Sequence, residues 1–189
     1  MEIDLNKTLR ALVRCLPEDG EPNVEALTKM YRQTLRLRSQ LLGVIYDLEA
    51  YSAPQPGRQE LAEAMSSGRQ EDGCVILTFE EALPSMKEYS AALEEHWQAM
   101  IHAAIQEAAA QEDLPQFDRA FVQIEVTTPR GSNNHQFWDT CNRAINLVIN
   151  NLKGIFFWDD DWSHMAFSVI GAWGETGCTV VRISRFLQP

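Results

Sequence analysis

Three consecutive acids, Asp159-Asp160-Asp161, follow the short apolar run Ile155-Phe-Phe-Trp158. Carboxylates presented at a strand end are oxygen ligands of the kind that Mg²⁺ takes while keeping several of its waters. Upstream, Asp139 and Asn142 stand at or before the start of an amphipathic segment that runs to Lys153. This spacing suggests a divalent site built from Asp139, Asn142, Asp159, Asp160 and Asp161, with Asp139, Asp159 and Asp160 as the catalytic acids. The chemistry would be metal-assisted phosphodiester hydrolysis. The plain competitor is a solvated acidic turn with no ligand.

Other chemical candidates carry less. His164 follows the triplet and is either a ligand, a proton carrier or a hydrogen-bonded structural histidine. His96 and His102 are six residues apart on one helical stretch, so they point to different faces and cannot pair on a metal. Of five tryptophans, Trp97, Trp138, Trp158 and Trp173 lie on apolar faces and are expected in the core, whereas Trp162, beside the acids, is expected to be exposed. The loop Arg130–His135 has one permanent cation, too little to hold a phosphate backbone. The chain has no Walker loop, Rossmann glycine run or nucleophile elbow.

The elements that would position the acids read as follows. Phe121–Thr127 alternates like a strand with one buried face. Asn142–Lys153 is an amphipathic helix ended by Gly154. Ile155–Trp158 reads as a short strand, Asp159–Asp161 as a turn, and Met165–Trp173 with Cys178–Phe186 as a hairpin across Gly174–Gly177. A helix over 142–153 advances about 18 Å, and Gly154–Asp159 can return about 20 Å if extended. Asp139 and the triplet would then meet within one chain. A helix beginning at Phe137 would instead require a second subunit, or leave no site.

The first 113 residues read as a helical scaffold or partner-binding region. Leu5, Leu9, Leu12 and Leu16 give a short helix stopped at Pro17–Gly20. Asn23 caps a long helix to about Tyr51, and Ser52–Gly73 reads as a mobile connector. Thr78 and Glu81 have capping-box spacing ahead of a helix over 85–111. Its stripe of Leu93, Trp97, Met100, Ile101, Ala104, Ile105 and Ala108 would cover the long first helix. The fold class is therefore α+β: an N-terminal antiparallel helical hairpin, then a small domain over 114–189.

Net charge is −11, and residues 1–115 hold 20 acids against 10 bases. Such a surface repels phosphate backbones, so nucleic acid, if bound, is not bound there; it suits a basic protein partner or simple solubility. No apolar run approaches the ~18 to 20 residues of a membrane span. Met1–Asn6 carries two acids and no basic or apolar cluster, so no secretory leader is expected. The four widely spaced cysteines fit buried thiols of a cytoplasmic protein.

The run Asp139-Thr-Cys-Asn142, the helix to Lys153-Gly154, the apolar Ile155–Trp158 and the acids Asp159–Asp161, with the trailing strands, resemble the RusA-like fold of Holliday-junction resolvases. The likeness covers about 70 residues in order. It implies Mg²⁺, branched DNA, recombination and homodimers. The chain departs from that pattern where Cys141 replaces an acid, or in a register shifted by one where Asn142 takes that place with Thr140 as its partner, and where Ile145 or Asn146 replaces a lysine; a neutral amide there coordinates through its carbonyl but lowers the site's charge and so its affinity. An endonuclease with a degenerate site is one implication; a catalytically weak or inactive relative acting through dimerisation or a nucleic-acid-processing partner is the other. The chain is also similar to a bacterial mobile-element family in which a helical N-terminal region precedes a segment like Trp138–Gly154; that likeness lends no activity. A third reading is an acidic inhibitor that binds a nucleic-acid enzyme through its N-terminal helices.

Overall fold

The computed structural model describes residues 10, 29–31, 33, 34, 37, 38, 41, 56–84, 90–129 and 143–186. It is a mixed α+β structure whose elements, in order, are α1 (Pro56–Met65), β1 (Ser66–Glu71), β2 (Cys74–Phe79), α2 (Ala91–Gln111), β3 (Ala120–Pro129), α3 (Arg143–Leu152), β4 (Met165–Gly174) and β5 (Cys178–Arg185). One five-stranded sheet runs β1-β2-β5-β3-β4. Most of the first arm of the expected helical hairpin lies outside the described residues. The described positions at 29–31, 33, 34, 37, 38 and 41 are helical, with the Thr34 hydroxyl donating to the Met30 carbonyl at 3.0 Å.

The stretch expected as a connector contains, over its described residues, α1 and β1. Asp72 and Gly73, at φ 51° and 74°, turn the chain between β1 and β2. Two successive positive φ angles make the type I′ geometry that an Asp-Gly pair favours, because its twist matches that of the flanking strands. Thr78 lies in β2, so no capping box forms there. The cap of α2 is Ser90, whose hydroxyl accepts from the Leu93 amide at 3.2 Å.

The apolar stripe expected on α2 is buried in full, together with His96. It packs on the β1–β2 hairpin: α2 lies along β1, and the Trp97 and Phe79 ring centroids are 5.2 Å apart. Alternation in β3 buries Ala120, Val122, Ile124, Val126 and Thr128 on one face, alongside Val181 and Ile183 of β5 and Val75, Leu77 and Phe79 of β2. These side chains form one core that extends on both sides of residue 113, as does the sheet.

β4 and β5 follow one another in the chain but do not pair. β3 lies between them, parallel to β4 and antiparallel to β5. The expected hairpin is thus a connection that steps over the end of β3. The physical reason is that β3 is apolar and buried, and gains a ladder on both sides by taking the central place. The parallel β3–β4 pair requires a crossover, which α3 supplies. Ile155–Trp158 is not a strand: Gly154 at φ 78° turns the chain, and the Ile155 and Phe156 amides donate to the Leu152 carbonyl. Phe156 and Phe157, adjacent and both fully buried, cannot follow the alternation of a strand with one solvated face. No helix among the described residues is long and apolar enough to cross a membrane.

Candidate functional site

The acidic turn sits at the end of the sheet where β3 and β4 begin, the Ala120 amide donating to the His164 carbonyl at 2.8 Å. The end of α3 delivers Lys153 to this turn. Its ammonium lies 3.1 Å from Asp160 Oδ1 and 3.3 Å from Asp159 Oδ1. Asp159 Oδ1 also accepts from the Asp160 amide at 2.9 Å. That amide bond, ahead of the contacts with Asp160 and Lys153, holds the Asp159 carboxyl below its ordinary range. The hydrogen bonds to Asp160 and then Asp159 push the Lys153 ammonium above its own. Both acids therefore face a resident cation supplied by their own chain.

Asp161 does different work. Its Oδ1 accepts from the Ser163 hydroxyl at 2.5 Å, the Ser163 amide at 2.8 Å and the His164 amide at 3.2 Å, and meets His164 Nδ1 at 2.9 Å. The Ser163 hydroxyl, and next His164, lower its pKa to about 2. This is a side chain closing its own turn, the habit that makes Asp frequent at such places. Its carbonyl accepts from the Met165 amide at 3.0 Å and so sets the entry to β4.

Asp139 and Asn142 lie outside the described residues, and so does Trp138. Among the described residues no three His, Cys, Asp or Glu side chains gather where they could hold a metal ion. Trp162 is 84% exposed, as expected, but Trp158 at 75% and Trp173 at 56% are exposed against expectation; Trp97 is fully buried. Trp158 fails as a core residue because the chain turns at 154–158, leaving Phe156 and Phe157 to fill the interior. Trp173 sits at the far end of an outer strand.

Neither a family model, nor a characterised protein, nor a solved structure matches this chain. The site must therefore be read from its own geometry.

Two features went unread in the sequence. Glu81 joins three elements: its carboxylate pairs with Arg38 of the N-terminal helical segment and lies 3.4 Å from His96 Nε2 on α2. Its carbonyl accepts from the Thr179 hydroxyl at 2.8 Å, and that oxygen accepts from the Leu83 amide at 3.0 Å. No local pattern announces this, since the partners are 15 to 98 residues away. The second is a cavity of about 690 Å³ between α1, the β1–β2 hairpin and α2, bearing Glu63, Glu80 and Glu107 and no lysine or arginine. The excess of acids in residues 1–115 was its only sequence signal.

Proposed function

We propose that this chain is a RusA-like module of a bacterial mobile element that acts by dimerising or by holding a nucleic-acid-processing partner, with little or no cleavage of its own. One observation carries this reading. Lys153 places its ammonium against both Asp159 and Asp160, the position a divalent ion would need to take. Like charges repel strongly at ligand distances, so an incoming Mg²⁺ must first displace a cation tethered to the adjoining helix end. The motif order from Asp139 to Asp161 supports the module assignment, and the departures at Cys141 and Ile145 or Asn146 support weak chemistry.

The test is titration of the full chain with Mg²⁺ or Mn²⁺, read by the fluorescence of the exposed Trp158 and Trp162, beside an assay on branched DNA. Silence at millimolar metal and no cleavage are the expected results. Metal-dependent cutting that Asp160→Asn abolishes would establish the endonuclease instead.

A second reading, an acidic protein that binds and inhibits a nucleic-acid enzyme, is favoured by the cavity with Glu63, Glu80 and Glu107. Carboxylates there attract a basic partner and fall silent with salt. Glu63→Lys with Glu80→Lys would abolish salt-sensitive binding to such a partner.

A further inference from the structure

The two edges of the sheet are treated differently by the chain. At the β1 edge, α2 seals the backbone: Glu107 accepts from the Gly68 amide at 2.9 Å, Gln111 Oε1 from the Gln70 amide at 3.3 Å, and Gln111 Nε2 donates to the Gly68 carbonyl at 3.1 Å. β1 is also short and carries Arg69 and Glu71. These are the usual protections of an edge strand. Among the described residues β4 has none of them. It is ten residues long, Met165-Ala-Phe-Ser-Val-Ile-Gly-Ala-Trp-Gly174, without a charge or a proline, and is in register with β3 throughout. Among the described residues no strand or side chain bonds its outer edge. Phe167 is 47% exposed, Ile170 42% and Trp173 56%.

We infer that β4 is the surface on which a second copy of this chain docks, strand against antiparallel strand, about a two-fold axis through Ile170 and perpendicular to the sheet. The spacing of the exposed residues selects this occupant. Phe167 and Trp173 stand three residues either side of Ile170. Pairing about Ile170 therefore sets Phe167 opposite Trp173 of the second copy, Ile170 opposite Ile170, and Val169 opposite Gly171. Directly opposed residues in an antiparallel pair share a face, and the aromatic pairs among them are favourable. A two-fold axis makes such a contact self-complementary, each half presenting what the other needs.

Charge points the same way. Two chains of net charge −11 repel, so a contact between copies belongs on an uncharged element. Among the strands only β2 and β4 lack charged residues, and β2 is interior. Aromatic side chains carry about 200 Å² each, so the exposed halves of Phe167 and Trp173 bring about 400 Å² to a pair of copies. With Ile170 and the paired backbones added, the contact stays in the class of a small, reversible interface rather than an obligate one. This deepens the reading proposed above by naming the assembling surface, and its test involves neither metal nor DNA.

Sedimentation of the full chain across concentration is expected to move from one chain mass to two. Ile170→Lys and Ile170→Glu, each opposing like charges at the axis, are expected to stay at one mass with unchanged circular dichroism. Mixed in equal amounts, the two variants are expected to regain the two-chain mass. A wild-type chain that stays single at its highest soluble concentration would overturn the inference. So would an Ile170→Lys dimer as tight as wild type, or a mixture that stays single. If either variant fails to fold, Phe167→Glu and Trp173→Lys decide. Each alone should be single and the two combined in one chain should dimerise; a combined variant that remains single also overturns it.

Discussion

Gly68 is the point where the helical layer touches the sheet most closely, and Gly68→Ala tests that contact directly. A Cβ at this position would lie 1.8 Å from the Ala104 carbonyl oxygen, 2.7 Å from its carbon and 3.2 Å from the Ala108 Cβ. The obstacle is helix backbone, which cannot rotate away as a flexible side chain would. β1 and α2 must separate by more than an ångström, which breaks the Glu107 and Gln111 bonds to the Gly68 amide and carbonyl. Overpacking costs about 1–3 kcal/mol and each lost hydrogen bond about 1 kcal/mol, giving roughly 3–5 kcal/mol in total. At about 2–4 °C per kcal/mol for a domain of this size, the melting temperature falls by roughly 6–20 °C. Gly73→Ala is the control: its φ is 74° with nothing within 4 Å, so only the left-handed backbone is charged, about 1–2 kcal/mol. Thermal and urea unfolding of the two variants beside wild type make the assay. A Gly68→Ala melting temperature within 2 °C of wild type, or above that of Gly73→Ala, would refute the close approach.

Glu81→Ala removes the acceptor shared by Arg38 and His96, the latter only 2% exposed, and should cost about 2–3 kcal/mol in urea unfolding; a loss under 0.5 kcal/mol would show that the junction is ornamental. The Asp161 carboxyl, lowered from 3.8 to about 2 by Ser163 and His164, contributes stability that is present above pH 4 and disappears as pH falls through about 2. Carboxyl NMR titration should place its midpoint near 2 and move it toward 3.8 in Ser163→Ala; a wild-type midpoint near 3.8 would mean that the turn is not closed by this side chain.

How much of this was legible in the sequence depends on how local the cause is. The alternation in 121–127 and the amphipathic period in 142–153 report elements whose buried faces are continuous, and the structure shows them as β3 over 120–129 and α3 over 143–152. The stripe on α2 was legible as a stripe, but not what it meets. β1 was hidden because Ser66–Glu71 has almost no apolar character: its inward position is Gly68, chosen for the nearness of α2, a reason visible only once α2 is in place. Its one local mark was Asp72-Gly73 ahead of the apolar run of β2. The acids at 159–161 were legible as a group, yet Lys153, the residue that neutralises two of them, was read only as the end of a helix. Strand order was illegible for another reason. Nothing in Gly174–Gly177 records whether its flanking strands touch or let a third pass between them.

That third strand has a consequence for how the molecule comes into being. The hairpin of β1 and β2 joins the rest of the sheet only through β5, with Val75 beside Ile183 and Phe79 beside Thr179. During synthesis the early hairpin and α2 must wait, their shared face half-covered, while residues 112–178 are still being made. β5 closes the sheet between β2 and β3, so a premature stop before Cys178 would release a chain with two unfinished margins, ready material for quality-control proteases.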